Sequence, residues 1–281
     1  MSLNSVNTNM GAMIALKSLN STNSELASVQ KQMSTGFRVA DATDDGAAFA
    51  IAQRVRSDVG ALTTANQQLG GVKGLLSTTS TGLTNVSNTM TKMRDQLTAL
   101  ANGNTVGDAR KQDTSNYNTL LDQLKTQLSD AAYNGKTLIG NIGSGASGFG
   151  AVNVVRNEVG ATYNIATFGG SALHAALTIA SGITAGAAAA LVTAGGTFLT
   201  QFSSVTSQLN AYGAASNYVD SQVSYNNDKI DSLNSGLGSL IDADLAKESA
   251  QLQALQIRQQ LGTQSLSLAN QAPQSLLSLF K

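Results

Sequence analysis

Small and apolar residues recur with an alternating spacing of three and four over a long stretch in the first half of the chain. Their positions are Leu62, Ala65, Leu69, Val72, Leu76, Thr79, Leu83, Val86, Met90, Met93, Leu97 and Leu100. This heptad spacing predicts a helix that packs in coiled-coil fashion along one seam. A helix over residues 45–101 is about 85 Å long at 1.5 Å per residue, which is too long for an ordinary globular domain.

A second seam with the same spacing lies near the other end of the chain. Its positions are Val205, Leu209, Tyr212, Ser216, Val219, Val223, Asn226, Ile230, Leu233, Leu237 and Leu240. The chain is therefore predicted to have two long helical arms. Asn226 interrupts the apolar pattern, so it either fixes the register of the coiled coil or faces solvent.

The segment between the two arms changes character along its length. Tyr117, Leu120, Leu121, Leu124 and Leu128 predict a shorter amphipathic helix, and Asn134-Gly135 predicts a tight turn after it. Residues 141–204 then contain clustered glycines, the strand-like runs AVNVV and ATYNIATF, and the nearly uncharged run ALTIASGITAGAAAALVTAGG. We expect an exposed insert of strands and loops there.

Both ends of the chain carry interrupted apolar stripes that need a partner helix. The stripes consist of Leu3, Val6, Met10, Met13, Leu26, Val29, Met33 and Phe37 at the start, and of Ile257, Leu261, Leu268, Leu276 and Leu279 at the end. In residues 249–280 the only charged side chain is Arg258, and the polar face is made of Gln, Ser, Asn and Thr. An ordinary solvated helix carries Lys and Glu, so this neutral face favours close self-packing or the lining of a channel.

Composition excludes several classes of function. The 281 residues carry 17 basic and 17 acidic side chains without a long basic run, so there is no electrostatic footprint for nucleic acid or anionic lipid. The absence of cysteine excludes disulfides and thiolate metal sites. We find no apolar run that could insert into a membrane and no general signal-peptide pattern at the start.

No group of residues indicates catalysis or a cofactor. His174 is the only histidine, lies in the insert with almost no carboxylate nearby, and is interpreted as a surface residue. The runs GITAG and GSGASGFG lack a lysine at phosphate-loop spacing and are interpreted as loops. Without a convergent nucleophile, base and orienting group, we expect that the protein is not an enzyme and binds no cofactor or metal.

Two acids precede an alanine-rich stretch in the segment STGFRVADATDDGAAFAIAQRVRSDV, residues 34–59. Paired carboxylates facing arginines can carry acid-base or phosphate chemistry. The favoured interpretation is structural: Asp44 and Asp45 lie at the positive end of a helix that starts directly after them. Asp41 or Thr43 is then the residue that caps this helix.

Three stretches resemble the bacterial flagellin family. NTNMGAMIALKSLNSTNSELASVQKQMSTGFRVADATDDGAAFAIA is similar to its N-terminal signature, and LIDADLAKESAQLQALQIRQQLGTQSLSLANQAPQSLLSLFK is similar to its C-terminal signature. AAYNGKTLIG resembles the junction between a helix and a hairpin in the family. The resemblance covers roughly residues 1–140 and 205–281 and leaves residues 141–204 as the variable outer part.

The resemblance implies a mainly α fold in which both ends of the chain fold back on each other as long coiled-coil helices, with a small β-containing insert. Residues 1–40 and 241–281 are expected to form an inner coiled-coil layer around a channel, with a spoke at the end of the first segment. Residues 41–140 and 205–240 are expected to form an outer helical rod, which carries the insert.

The implied function is that of a structural subunit of the flagellar filament, the helical propeller of swimming bacteria. The implied partners are further copies of the chain, the flagellar export apparatus and its chaperone, and the filament cap and hook-junction proteins. Export without a cleavable signal peptide to an extracellular filament is expected. The resemblance leaves open whether Ser and Thr of the insert carry O-linked glycans. The alternatives are a hook-filament junction protein and, less favoured, a coiled-coil scaffold.

The resemblance also implies roles for individual residues. The residues expected to act in self-assembly are Arg38, Asp44, Asp45, Arg54, Arg56, Ile257, Leu261, Leu268, Pro273, Leu276 and Leu279. Some flagellins are recognised by a Toll-like receptor through a motif resembling Gln-Arg-x-Arg-Glu-Leu and an acid on the adjacent helix. This chain departs from that pattern at Lys92, Gln96 and Asn116, which predicts weak recognition.

Overall fold

The computed structural model describes residues 8–140, 142 and 148–278, with the side chains of residues 272–278 left aside. Within these residues the elements are α1 (Met10–Thr35), α2 (Gly46–Ala101), α3 (Gly107–Asp130), β1 (Val152–Val155), β2 (Thr162–Ile165), α4 (Gly170–Leu177), α5 (Ala185–Val192), α6 (Thr197–Ile241) and α7 (Leu245–Ser278). The mainly α fold with a small sheet is confirmed. No helix in the described ranges has the length and apolar character needed to cross a membrane.

The chain divides into two compact units, and the long helices α2 and α6 each run through both. One unit contains Met1–Ser57 with Asp231–Lys281, and the other contains Asp58–Ile230. The first therefore joins the two ends of the chain, and the second contains the middle of the chain.

The core of the middle unit follows the predicted seam of α2. Every seam position predicted in residues 62–100 is buried. Along α6, the positions Val205, Tyr212, Val219 and Asn226 recur every seven residues and are buried, and the other predicted seam positions of this helix are half-buried. The heptad interpretation of both arms is therefore confirmed, because a repeat of seven keeps one stripe of each helix turned toward the core.

Helix α3 adds Tyr117, Leu121, Leu124 and Leu128 to the same core, as its amphipathic pattern predicts. The hydroxyl of Tyr117 donates to the carbonyl of Leu177 at the end of α4, at 2.6 Å, and burial raises the pKa of Tyr117. This bond satisfies a buried polar group and joins α3 to α4.

The Asn-Gly pair after α3 forms the predicted tight turn. Asn134 and Gly135 both have left-handed backbones, with φ of 48° and 73°. The flanking Tyr133 and Lys136 exchange two backbone hydrogen bonds of 2.8 and 3.0 Å. Two successive residues at positive φ are the signature of a type I′ turn, which Asn-Gly adopts at low cost.

The insert differs from the expectation of exposed strands and loops. The strands are present as an antiparallel pair in which Val152 lies opposite Ile165. Residues 170–192, which overlap the nearly uncharged run, however, contain the helices α4 and α5, and α6 begins at Thr197. Leu173, Leu177 and Ile183 are buried in the same cluster as residues of α2, α3 and α6. Alanine and leucine favour helix, and one side of each short helix is packed against the core.

The unit that contains both chain ends is built on the packing of α1 against α7. Thr22 and Val29 of α1 and Leu255 of α7 are buried there. A second, smaller core is formed by Val39 and Ile241 with their buried and half-buried neighbours Ala48, Ala52, Phe37, Phe49, Leu237 and Leu240.

Candidate self-assembly site

A lysine in α1 forms ion pairs with two aspartates of the connecting loop, residues 36–45, which joins α1 to α2. Lys31 Nζ donates to Asp41 Oδ2 at 2.6 Å and to Asp44 Oδ1 at 2.8 Å. Asp44 Oδ2 also accepts from the backbone N–H of Ala40 at 3.0 Å. Hydrogen bonds from Lys31 hold the pKa of both carboxyls below the usual range, and the carboxylates raise the pKa of Lys31.

Asp45 is the N-cap of α2. Its Oδ1 accepts from the backbone N–H groups of Ala47 and Ala48, each at 3.0 Å. The prediction that Asp41 or Thr43 caps the helix is wrong. Asp41 instead closes a local turn by accepting from the backbone N–H of Thr43 at 2.8 Å, and only Asp45 is close enough to the free N–H groups of the first turn.

The arginines of this segment do not meet its carboxylates within the described chain. Arg38 Nη2 donates to the carbonyl of Leu240 at 2.6 Å, near the end of α6. The guanidinium of Arg56 lies 5.9 Å from the centroid of the Phe37 ring. Arg54 is exposed and makes no hydrogen bond or ion pair to any residue the structure describes. The acid–arginine pairing required by the catalytic interpretation is absent from this part of the molecule.

The predicted apolar stripe of α7 lies on the surface, although α7 is packed against α1. Ile257, Leu261 and Leu268 are 59%, 56% and 70% exposed. At the start of α1, Met13 and Ile14 are similarly exposed. The contact between the two helices uses a different side of each, which includes Val29 and Leu255 among its buried residues. Each terminal helix therefore has a second apolar face that nothing in the described chain covers.

Polar bonds fix the pairing of α1 with α7. Asn9 Nδ2 donates to the carbonyl of Ala269 at 2.7 Å, and Gln259 Nε2 donates to Asn23 Oδ1 at 2.8 Å. Arg258 is the one charged residue in residues 249–280, and its Nη1 lies 3.7 Å from Glu25 Oε2. Of the other predicted assembly residues, Pro273 and Leu276 belong to the last turns of α7, their side chains outside the description, and Leu279 lies outside the described residues.

The positions that depart from the receptor motif lie on α2 and α3. Lys92 and Asn116 are exposed, and Asn116 Oδ1 accepts from Gln112 Nε2 at 3.1 Å. Gln96 is half-buried, and its Oε1 has no hydrogen-bond partner among the described atoms. His174 is half-buried on α4, and the described residues contain no group of three metal-ligating side chains.

Two family models match the chain. The bacterial flagellin N-terminal helical region matches residues 6–144, and the bacterial flagellin C-terminal helical region matches residues 193–280. Flagellin FljM of Caulobacter vibrioides is 36% identical over 288 residues, with both chains fully covered. Flagellin of Brucella melitensis biotype 1 is 33% identical, with 99% of each chain covered. These alignments extend through residues 141–204.

A solved structure shares the fold at low sequence identity. The crystal structure of Bacillus cereus flagellin has a TM-score of 0.51 to this chain at 17% identity, covering 57% of this chain and 88% of its own. This similarity supports the helical architecture alone.

Proposed function

The chain belongs to the bacterial flagellin family and is a subunit of the extracellular, homopolymeric flagellar filament, and from this premise we propose which of its surfaces join the copies. The observation that carries the proposal is the exposed apolar face of α7 at Ile257, Leu261 and Leu268. This face remains on the surface of the described chain after α1 has packed against α7, and in a homopolymer the terminal helices of another copy can bury it.

We propose that the α1–α7 pair forms the inner layer and that α2, α3 and α6 form the outer rod. Complete burial of a Leu, Ile or Met side chain stabilises by about 1.5–3 kcal/mol, and a half-exposed side chain gains about half of that. The free energy of association therefore gains several kcal/mol per copy from three such residues on α7 and from the exposed Met10, Met13 and Ile14 on α1.

We propose that the arginines near the start of α2 contribute to contacts between copies. Arg54 is exposed and has no partner among the described residues, so its guanidinium can pair with a carboxylate of a neighbouring copy. Arg38, Asp44 and Asp45 have partners within the chain and would act by holding the connecting loop in shape. Arg56, placed over Phe37, would act in the same way.

We propose that the copies are exported by the flagellar export apparatus with a chaperone and added beneath a cap, and that the filament works as a propeller. This rests on membership of the family. A non-enzymatic role agrees with a family of structural proteins. The hook-filament junction protein is the alternative that a polymerisation assay separates, because a junction protein does not grow into long filaments.

The test is seeded polymerisation of purified subunit, followed by electron microscopy. We expect long filaments from the unchanged chain and none from Leu261→Glu/Leu268→Glu, because both side chains are exposed and their replacement leaves the α1–α7 contact in place. The control is Ser267→Glu, which adds a charge at an exposed neighbouring position. Filaments of normal length from the double variant would contradict the proposed surface, and short rings from the unchanged chain would favour the junction protein.

A further inference from the structure

An amide is buried in the seam of α6. Asn226 is 0% exposed and occupies the position that follows Val205, Tyr212 and Val219 in steps of seven. Its Nδ2 donates to Asn66 Oδ1 on α2 at 2.8 Å and to the carbonyl of Arg156 at 3.0 Å. Its Oδ1 accepts from Gln222 Nε2 at 3.0 Å. Every polar atom of the side chain therefore has a partner.

Two further bridges define the same alignment of α2 against α6. Asn66 Nδ2 donates to Asn227 Oδ1 at 2.8 Å, and Lys73 Nζ donates to Asp220 Oδ1 at 2.6 Å. Lys73 lies one heptad after Asn66, and Asp220 lies one heptad before Asn227. The bridges are therefore consistent with a single antiparallel register.

The β1–β2 hairpin is attached to the same part of α6. Besides the bond from Asn226 to Arg156, Glu158 pairs with Lys229. The Tyr163 ring of β2 stacks on Tyr218 with centroids 4.2 Å apart. The bond to Asn226 therefore holds three elements, α2, α6 and the hairpin, in one relative position.

We infer that Asn226, with Asn66, fixes the register in which the two arms, α2 and α6, pack against each other. The arms come from distant parts of the sequence, so no short loop fixes their alignment, and a seam that repeats every seven residues tolerates a shift of one heptad. Such a shift places Asn226 opposite Val59 or Lys73 in place of Asn66. A buried amide that loses its hydrogen-bond partners destabilises the shifted register, whereas apolar seam residues pack in either register without such a cost.

The test measures the alignment directly. Because the chain has no cysteine, Thr81→Cys and Ser221→Cys, both at exposed positions, carry one spin label each on α2 and α6. The distance between the labels is measured by pulsed electron paramagnetic resonance after refolding. We expect one distance in the parent, and in Asn226→Leu a second population shifted by up to about 10 Å, the rise of seven helical residues.

Asn217→Leu is the matched control, since it removes an exposed amide from the same helix and is expected to keep the single distance. A single, unchanged distance in Asn226→Leu would overturn the inference. If that variant does not fold, the distance is measured in Asn66→Leu/Asn226→Leu, which makes the seam apolar on both sides. A second population of distances would support the inference, and a single, unchanged distance would overturn it. Failure of both variants to fold would show that the amide is needed for stability itself, and would also overturn the inference.

Discussion

Gly70 and Gly71 lie on the exposed side of α2, and a methyl group added at either one meets nothing within 4 Å. Two other glycines of the helix have close neighbours. A Cβ on Gly82 would lie 2.7 Å from Ala131 Cβ, and a Cβ on Gly74 would lie 2.7 Å from the Tyr133 ring. The double change Gly70→Ala/Gly71→Ala is therefore expected to stabilise the monomer without disturbing its packing.

The magnitude follows from the backbone entropy of glycine. Each Gly in a helix interior destabilises the fold by about 0.5–1 kcal/mol relative to Ala, so the double change is expected to raise the free energy of unfolding by about 1–2 kcal/mol. At about 2–4 °C per kcal/mol for a domain of 150–250 residues, the melting temperature is expected to rise by about 2–8 °C. The assay is thermal unfolding of depolymerised protein followed by circular dichroism.

Gly82→Ala is the control on the same helix. It is expected to lower the melting temperature, because the neighbouring Ala131 is short and buried and cannot move aside as a long side chain can. An unchanged or lower melting temperature for Gly70→Ala/Gly71→Ala would refute the entropic argument. A stabilised Gly82→Ala would refute the packing argument.

Three further predictions concern the connecting loop, the C-terminus and receptor recognition. The pKa values of Asp41 and Asp44 are lowered in the folded chain, so their stabilising contribution is present above pH of about 4 and is lost as the pH falls through the folded values. Chemical denaturation from pH 6 to pH 3 is therefore expected to show a steeper loss of stability for the parent than for Lys31→Met, and parallel curves would contradict this. Deletion of residues 271–281 is expected to leave secretion intact and abolish polymerisation, as measured by comparing culture supernatant with sedimented filaments; normal filaments would exclude a role for this segment in assembly. Reporter cells for the Toll-like flagellin receptor are expected to respond weakly to the native chain and more strongly to a triple variant. Each restored anchor is expected to contribute about 2 kcal/mol to the free energy of receptor binding. A strong response to the native chain would contradict this prediction. The changes in that variant are Lys92→Arg, Gln96→Leu and Asn116→Glu.

Features that depend on local periodicity could be predicted from the sequence. The seam of α2 and the Asn134-Gly135 turn are specified by residues close in sequence, through a repeat of seven and a requirement for positive φ. The helices α4 and α5 were missed because a short uncharged run has no long periodicity to separate a packed helix from a loop.

Partners that are distant in sequence could not be predicted. Lys31 reaches Asp41 and Asp44 only because the chain turns back after α1, and no spacing rule connects them. Arg110 is a second example, because its guanidinium donates to the carbonyls of Leu100 at 3.0 Å and Ile183 at 3.1 Å. The exposure of Ile257, Leu261 and Leu268 is a third case, since an apolar stripe indicates that a partner is needed but does not say which helix provides it.

Electron cryomicroscopy of the assembled filament shows directly whether the second apolar face of α7 joins neighbouring copies. We expect Ile257, Leu261 and Leu268, each more than half exposed in the single chain, to be buried against the terminal helices of adjacent copies. A filament map in which these three side chains face an open channel or bulk solvent would contradict it.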